Sequence, residues 1–570
     1  MGVRRAVDMV LDLQRSSTSL PIVTYGPLIH NPQTLEILES RGICQVDSIE
    51  QIELGTAVIR AHGISPRERR LLEEKGVGII DATCPRVSRV QALIRKHAAK
   101  GHFCVIVGDE DHPEVRGLMG FASAGGATIN SADKDRTVEA IPLGREICVV
   151  AQTTQEVKTF NDVVETLKEN WPTVHVYDTI CDSTRKRQSE VVGMADQVDL
   201  MVVVGGKGSG NTRRLAKVAE AQGVKSLHLE TDEDIPLEAL AGIGHVGVTA
   251  GASTPNWQIR RVIDKLRKIG SSSRPDPLAK LRSAFDVTVM TYLWAAAAGG
   301  GLAATCLILQ GRPVTWLPLA MTMLFVFAMH LLNRIQDRSG AVRFNTPEIA
   351  AFYARHRGML TVIGCLASIG AVYLSYRISV LTCVLLVAIM VLGSAYATAL
   401  SARAGLPRLK GRSLRDLAGS KTPLVALGWA TAAAVLPVVG DTPLDSVPGL
   451  MVSFVFAAGM VFWRTALSDV LDIQGDRIVG RDTIPILVGV KTTQKMLRWL
   501  LVLLGLLLAT SVQTKLIPPV GLLLVATILA YGIIYVIYSR SQLVDRLAFE
   551  GLVDGNLVLA GVISAVYGAT

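Results

Sequence analysis

The hydrophobic and polar positions divide the chain into two halves with different patterns. Up to about residue 283, short apolar runs of four or five residues alternate with polar stretches. Beyond that point, apolar runs of about 20 residues follow one another. Short apolar runs bounded by turns predict buried strands, whereas the long runs predict membrane-spanning helices. We therefore expect a soluble first half and a membrane-embedded second half.

In the first half, each predicted strand is followed by a polar loop and then by a helical stretch. Clear examples of such strands lie at 77–80, 103–107 and 200–204. Strands that alternate with helices predict parallel sheets, and ligands of parallel sheets gather at the loops after the carboxyl ends of the strands. We expect these loops to form the functional edges of an α/β protein.

The loops carry histidines and small polar side chains. The histidines are His30, His62 and His112, and the small polar residues near predicted helix starts are Ser209, Asn211 and Ser253. Helix N-termini and glycine-rich turns present backbone N–H groups that favour phosphate oxygens. A single loop histidine is more often solvated or structural. The prediction of a diphosphate pocket therefore rests on the histidines, the small polar residues and the helix starts taken together. Glu114, two residues after His112, is placed to move protons.

Two cysteines occupy positions that suit a metal or cluster ligand. Cys84 follows a predicted strand and directly precedes a proline, and Cys181 lies in a polar loop after a strand-like segment. Eight cysteines scattered over 570 residues do not form a disulfide framework, and they fit a reducing compartment. The cysteines in apolar strand contexts are expected in the core: Cys44, Cys104 and Cys148.

Ordered motifs from residue 1 to about 268 resemble the 4-hydroxy-3-methylbut-2-enyl diphosphate reductases, the LytB family. The motifs are Gly2-Val3-Arg4-Arg5-Ala6-Val7, His30-Asn31, Ala61-His62-Gly63, 81–85, His112-Pro113-Glu114-Val115, Gln152-Thr153-Thr154, Ile180-Cys181, 209–211 and 249–253. The resemblance implies three α/β lobes around a 4Fe-4S cluster held by three cysteines. It also implies reductive removal of the substrate hydroxyl, with electrons from a donor such as ferredoxin or flavodoxin.

The resemblance assigns roles to individual residues. Cys84 and Cys181 would be cluster ligands, and Glu114 and Thr153 would be catalytic. The substrate would be bound by His30, His62, His112, Thr184, Ser209, Gly210, Asn211 and Ser253. Gly210 stands where the family has a second serine. The first cysteine of the family would lie one residue before Met1, so we expect either a start codon further upstream or a unit that lacks one cluster ligand.

Residues 269–284 are predicted to be a flexible linker between a reductase domain, 1–268, and a membrane domain, 285–570. Nine spans are predicted, at about 286–309, 314–332, 360–376, 379–400, 422–440, 449–468, 498–512, 516–538 and 551–569. The loops at 333–358, 401–421, 469–497 and 539–550 are rich in arginine and lysine. The positive-inside rule then places these loops and the N-terminal domain in the cytoplasm, at an inner membrane.

Two polar clusters lie at predicted helix ends of the membrane half. Asn333 and Asp337 are four positions apart, and Asp469, Asp472 and Asp476 fall on one helix face. Clustered carboxylates at the membrane interface are typical ligands of Mg²⁺, and Mg²⁺ binds diphosphates. The alternative interpretation is an ordinary solvated loop, and it applies most readily to Asp337.

Residues 283–570 resemble the UbiA superfamily of intramembrane prenyltransferases, most specifically through 469–476 and the following 480–489. The resemblance implies two aspartate-rich motifs that hold a prenyl diphosphate through Mg²⁺, with Lys421 and Arg477 as candidates to stabilise the leaving group. The first motif departs from the family, because Arg334 and Ala341 stand where aspartates are usual.

The leading hypothesis is a fusion of an iron–sulfur reductase that makes isopentenyl and dimethylallyl diphosphate with a membrane prenyltransferase. The alternative is a membrane prenyltransferase whose soluble half is a degenerate binding module without a cluster. A transporter with a cytosolic sensor is a third reading, and aspartates concentrated on one side of the membrane argue against it. The expected partners are prenyl diphosphates, an electron donor and the lipid bilayer, with no nucleic acid.

Overall fold

The computed structural model describes residues 2–16, 21–130, 141–142, 144–171, 173–272, 279–336, 346–397, 419–440, 447–540 and 545–570. The chain divides into two compact units, Met1–Arg274 and Pro275–Thr570. The division falls inside the segment 269–284 that separates the two sequence patterns.

The first unit contains three parallel β-sheets. The strands are β1 (Ile22–Tyr25), β2 (Ile43–Val46), β3 (Thr56–Ile59), β4 (Gly78–Asp81), β5 (Phe103–Val107), β6 (Gly126–Ile129), β7 (Ile147–Ala151), β8 (Val174–Tyr177), β9 (Leu200–Val204), β10 (Lys225–Leu229) and β11 (Val246–Ala250). The strand orders are β2-β1-β3-β4, β6-β5-β7-β8 and β10-β9-β11. Parallel pairing in each sheet confirms the α/β prediction for this half.

Helices connect the strands. They are α1 (Gly2–Ser16), α2 (Pro32–Glu39), α3 (Pro66–Glu74), α4 (Pro85–Ala98), α5 (Pro113–Met119), α6 (Val157–Asn170), α7 (Asp182–Ala195), α8 (Gly210–Ala221) and α9 (Asn256–Ser272). Polar side chains fix several of their starts: Asn31 and Ser65 accept hydrogen bonds from the first turns of α2 and α3. These caps fix where the loops after β1 and β3 end.

The central strands β5, β7 and β9 are buried at every position. Helices cover both faces of parallel sheets, so continuous apolar strands are expected there. Cys104 and Cys148 lie in these strands and are 0% exposed, which confirms them as core residues. The same prediction is wrong for Cys44, which is exposed because it lies on β2, at the edge of the first sheet.

The second unit is helical throughout its described residues. Its helices are α10 (Ala279–Met290), α11 (Leu293–Leu309), α12 (Trp316–Gln336), α13 (Pro347–Arg355), α14 (Arg357–Ile378), α15 (Val380–Ala397), α16 (Lys421–Ala430), α17 (Val447–Val479), α18 (Ile484–Leu487), α19 (Val490–Gln513), α20 (Val520–Arg540) and α21 (Arg546–Ala569). A π-helical turn, Thr431–Val435, follows α16.

Six of the described helices are long and apolar enough to cross a membrane: α12, α14, α17, α19, α20 and α21. The number becomes seven if α10 and α11, which are bent by 71° relative to each other, form one span. Each of the nine predicted spans overlaps a described helix, but α15 and α16 do not pass this test of length and hydropathy. The membrane-embedded character agrees with the sequence prediction, and the number nine is not confirmed.

Candidate functional site

Three histidines from different loops meet in the first unit. His30 follows β1, His62 follows β3, and His112 caps α5 after β5. Their ring centroids are 4.7 Å apart for His30 and His62, 5.8 Å for His30 and His112, and 5.4 Å for His62 and His112. The first two sheets thus bring together the three histidines that the sequence singled out.

These histidines are neutral. Burial lowers the pKa of His30 and lowers that of His62 well below its usual value, with nearby cations and histidines adding to the effect. Burial, together with His30 and Arg214, lowers the pKa of His112 to about 4. Within the described residues, His30 Nε2 and His62 Nδ1 are buried and have no hydrogen-bond partner. Buried imidazole nitrogens without partners indicate a site that a ligand completes.

The tautomer of His112 follows from its cap. Its Nδ1 accepts a hydrogen bond from the backbone N–H of Glu114 at 3.1 Å, so the proton of the neutral ring lies on Nε2. A Cβ placed on Gly210 would lie 3.7 Å from that Nε2. His112 Nε2–H therefore points toward the start of α8 and is available to donate to an anion.

Each of the three sheets, with its helices, forms one lobe of the first unit: the first on β2-β1-β3-β4, the middle on β6-β5-β7-β8 and the third on β10-β9-β11. The third lobe contributes the N-terminus of α8. Ser209 caps this helix, and its Oγ accepts from the Thr212 backbone N–H at 3.4 Å. Asn211 is 6% exposed, and neither atom of its amide has a partner among the residues described. The preceding loop approaches His30 so closely that a Cβ on Gly206 would lie 2.7 Å from the His30 carbonyl oxygen. Asn211 and the helix N-terminus thus lie beside the histidines.

Glu114 and Thr153 form a buried pair. Glu114 Oε1 accepts from the Thr153 backbone N–H at 2.7 Å, and Oε2 lies 3.0 Å from Thr153 Oγ1. Burial raises the pKa of Glu114, although the hydrogen bonds from Thr153 oppose the shift. The carboxyl group therefore retains its proton to higher pH than an exposed glutamate does.

Arg214, one turn into α8, is a residue that sequence reasoning missed. Its Nη2 donates to Asp109 Oδ2 at 2.7 Å and to Gln152 Oε1 at 3.0 Å. Because Asp109 and Gln152 follow β5 and β7, Arg214 joins the third lobe to the second. An arginine five positions after a serine cap is a weak sequence signal, so only the long-range contacts identify it.

Cys84 and Cys181 occupy equivalent positions at the N-caps of α4 and α7. Neither thiol makes a side-chain capping bond, and both are half-buried. Arg86 pairs with Asp182, so a side-chain ion pair connects the first turns of the two helices. A Cβ on Gly2 would lie 2.2 Å from Cys84 Sγ, so the start of α1 packs directly on this thiol.

The two remaining predicted residues lie near these groups. Thr184 is 2% exposed, and its backbone N–H donates to the Cys181 carbonyl oxygen at 2.8 Å. Ser253 is half-buried in the loop that precedes α9. That loop packs on the start of α8, because a Cβ on Gly251 would lie 2.2 Å from Thr212 Oγ1.

The acidic face of the second unit lies near the end of α17. Asp469 is 0% exposed, and it accepts from Lys421 Nζ at 2.7 Å and from Thr422 Oγ1 at 2.6 Å. Asp472 pairs with Arg546 at 3.1 Å. These two carboxylates are therefore already compensated by cations, which the sequence pattern did not indicate.

The other predicted metal ligands of the second unit differ in their environment. Asp476 lies 3.7 Å from Arg481 Nη1, and its Oδ2 has no hydrogen-bond partner in the part of the chain that is described. The same holds for Asn333 Oδ1 on α12. Asp337 lies outside the described residues. The free acceptors of the described acidic motifs are thus Asp476 Oδ2 and Asn333 Oδ1.

Comparison with known proteins places the first unit in a family. Residues 1–267 match the family described as LytB protein. The 4-hydroxy-3-methylbut-2-enyl diphosphate reductase of Oleidesulfovibrio alaskensis is 43% identical over 273 residues, 47% of this chain and 94% of the relative. The enzyme of the same name from Nitratidesulfovibrio vulgaris is 44% identical over 266 residues, 46% of this chain and 93% of the relative.

A solved structure of a UbiA homolog from Aeropyrum pernix is similar to this chain at 13% sequence identity and a TM-score of 0.37. The similarity covers 47% of this chain and 97% of that one, and it lies over the C-terminal half. Residues 1–267 match the family, and two relatives are 43% and 44% identical to this region. By its first unit, the chain therefore belongs to the LytB family.

Proposed function

We propose that the first unit reduces 4-hydroxy-3-methylbut-2-enyl diphosphate to isopentenyl and dimethylallyl diphosphate. The relatives carry the name of this activity. The observation that carries the proposal is the group of neutral histidines beside the unpaired amide of Asn211. The reaction balances when the substrate takes up two electrons and two protons and its hydroxyl group leaves as water.

The diphosphate would bind where the three lobes meet. His30, His62 and His112 would supply N–H donors to the diphosphate. Two of their buried nitrogens have no other hydrogen-bond partner within the described chain, so no protein group competes with the ligand for them. The N-terminus of α8 and Asn211 add further donors on the adjacent lobe. A dianionic group desolvated among such donors gains charge-assisted hydrogen bonds.

Glu114 would supply the proton that the departing hydroxyl group needs. Burial raises its pKa, which favours the protonated carboxyl group, and Thr153 Oγ1 at 3.0 Å provides a hydroxyl through which a proton can pass. Thr184, next to Cys181, would position the substrate hydroxyl. A carboxylic acid held neutral by burial is a recurrent form of general acid.

Cys84 and Cys181 fit two of the three thiolate positions that a 4Fe-4S cluster of this family needs. Both lie at helix N-termini without a capping bond, and the pair Arg86–Asp182 holds the two helix starts together. When bound, such a cluster supplies the electrons, which it would receive from a ferredoxin or flavodoxin. Gly2 and Arg5 of α1 border this site, since Arg5 Nη1 donates to the Thr83 carbonyl oxygen at 3.1 Å.

For the second unit we propose prenyl transfer assisted by Mg²⁺, with the unit in an inner membrane and the first unit in the cytoplasm. Asp476 Oδ2 and Asn333 Oδ1 are buried acceptors without partners in the described region. Asp469 and Asp472 would complete the set by exchanging a cation partner for the metal, and the freed Lys421 would then face the diphosphate leaving group.

The proposal for the first unit is tested by turnover. The full chain, purified in detergent and reconstituted anaerobically with iron and sulfide, is given an artificial low-potential reductant and 4-hydroxy-3-methylbut-2-enyl diphosphate. We expect isopentenyl and dimethylallyl diphosphate as products. Substrate binding with no product, in a chain whose iron content and reduction are verified, would instead support a binding module without reductase activity.

A further inference from the structure

A second group of histidines lies in the middle lobe of the first unit, away from the loops described above. His97 is in the last turn of α4, His102 directly precedes β5, and His175 is in β8. One nitrogen from each of the three rings lies within 4.8 Å of the others. Glu146, directly before β7, completes the group. These residues lie at the amino ends of β5 and β7, whereas His112, Glu114 and Thr153 follow the carboxyl ends.

The sheet register explains why these side chains converge. Phe103 pairs with Ile147, so His102 and Glu146 are neighbours one position earlier. Cys148 pairs with His175, and Glu146 is two residues before Cys148. Since side chains of a strand alternate between the two faces, His102, Glu146 and His175 share one face. The same face carries Cys104, Cys148 and Tyr177, which pack with α4, and His97 reaches it from that helix.

The contacts within the group are close. Glu146 Oε2 lies 3.1 Å from His102 Nε2 and 3.0 Å from His175 Nε2. The Nδ1 atoms of His97 and His102 are 3.0 Å apart. The rings of His102 and His175 are stacked, with centroids 5.0 Å apart and an interplanar angle of 15°. One of the two facing Nδ1 atoms must present a lone pair. Glu146 Oε2 contacts the other nitrogen of the His102 ring, so imidazole nitrogens and a carboxylate oxygen are concentrated around His102.

A further contact orients the group from outside. Tyr177 Oη lies 2.9 Å from His97 Nε2, so the second ring nitrogen of His97 is fixed and its Nδ1 faces the other histidines. Metal-bound histidines regularly have such a partner on the other nitrogen. His175 and Glu146 are partly exposed, at 37% and 52% of their side chains, which gives an ion a path from solvent.

We propose that His97, His102, His175 and Glu146 form a binding site for a divalent transition metal of the zinc type. Three imidazole nitrogens and one carboxylate oxygen match the ligands that Zn²⁺ takes in a tetrahedral site. Magnesium and calcium prefer oxygen ligands, so this donor set favours zinc, cobalt, nickel or copper over them. Because its ligands lie at the amino ends of β5 and β7, the metal joins the end of α4 to the sheet and takes no part in chemistry at the opposite edge.

Cobalt binding tests this site. The full chain in detergent is stripped of metal with a chelator and titrated with Co²⁺, whose visible spectrum distinguishes tetrahedral from octahedral coordination. We expect tetrahedral absorption that saturates at about one Co²⁺ per chain and is displaced by Zn²⁺. His102→Gln and His175→Gln should abolish it, and Tyr177→Phe should weaken Co²⁺ binding by about 10–100-fold, as for other outer partners of metal ligands.

The other histidine group provides the matched control. His30→Gln removes a ring from the candidate diphosphate pocket and should leave the Co²⁺ spectrum unchanged. If the spectrum were lost in His30→Gln and retained in His175→Gln, the metal would lie in the group of His30, His62 and His112, and the proposal would be overturned. The absence of tetrahedral Co²⁺ absorption in the parent chain would also overturn it. His175 is partly exposed, so its substitution is the variant least expected to disturb folding. Thermal unfolding of the metal-free proteins verifies this.

Discussion

The candidate sites of the two units suit the same kind of ligand by opposite means. In the first unit, His30 Nε2, His62 Nδ1 and the amide of Asn211 are buried and have no hydrogen-bond partner among the described residues. In the second, Asp469 and Asp472 are carboxylates that already have cation partners. A diphosphate is strongly anionic, so neutral donors bind it directly, whereas carboxylates repel it unless a metal ion lies between them. The comparison predicts that diphosphate binding is independent of a metal in the first unit and dependent on one in the second.

The largest expected effect concerns proton transfer in the first unit. Glu114→Gln keeps the shape and the hydrogen bond from Thr153 but removes the acidic proton, so turnover should fall by about 10²–10⁴-fold with little change in substrate affinity. Asp111→Asn, at an exposed carboxylate three residues earlier, is the control and should retain full rate. Equal turnover in Glu114→Gln and the parent chain would remove Glu114 from the mechanism.

The second prediction concerns the metal-dependent site. Loss of an outer partner of a metal ligand usually costs about 10–100-fold in metal affinity or activity. Asp476→Asn removes a proposed direct ligand, so prenyl transfer in Mg²⁺-containing membranes should fall by more than that. Glu550→Gln is the matched control, since Glu550 pairs with Arg546 at 2.8 Å and has no proposed metal contact. A transfer rate that falls equally in both variants would indicate general destabilisation of the unit and contradict a specific role for Asp476.

The third prediction is a pH dependence of stability in the first unit. An unfolded histidine binds a proton near pH 6.5, whereas His112 in the folded unit does so at about 4. The unfolded state therefore gains protons first as the pH falls, and stability is lost between pH 6.5 and about 4, by up to about 3 kcal/mol from His112. Hydrogen exchange of peptides from 1–267, followed against pH, measures the loss. The profile of His112→Gln should be flatter, and an identical profile would refute the assignment.

The smallest expected effect is on substrate affinity, and it distinguishes the two histidine groups. His62→Asn removes one donor to the charged diphosphate, worth about 1.5–3 kcal/mol, and should weaken substrate binding by about 10–100-fold. His175→Gln, in the other group, should leave the Kd unchanged. Calorimetric titration of the full chain with substrate compares them. A weaker affinity in His175→Gln alone would reverse the roles that we assign to the two groups.

The sequence was most informative where structure depends on local pattern. Strands β5 and β9 begin and end at the predicted residues, because uninterrupted apolar runs are characteristic of buried parallel strands. The meeting of His30 and His62 also agrees with the prediction that loops after parallel strands lie at the functional edge of their sheet, and His112 joins them from the second sheet. Cys44 was misassigned because an apolar run does not reveal that β2 is an edge strand.

Contacts between residues far apart in sequence could not be predicted. The ion pair of Asp472 and Arg546 spans 74 positions, and the contact of Arg214 with Asp109 spans 105. The pattern of aspartates at one helix face therefore indicated a metal site without indicating its cation partners. The histidines of the middle lobe are separated in the same way, and only the strand register brings His102 and Glu146 together.

The central claim is that the first unit binds a diphosphate through neutral groups without a metal ion. Titration of the full chain with 4-hydroxy-3-methylbut-2-enyl diphosphate in excess chelator tests it most directly, with Asp476→Asn in the background so that the second unit does not contribute. We predict that saturable binding persists in the chelator and is weakened by His62→Asn. Binding that disappears in chelator and returns with Mg²⁺ would contradict the account.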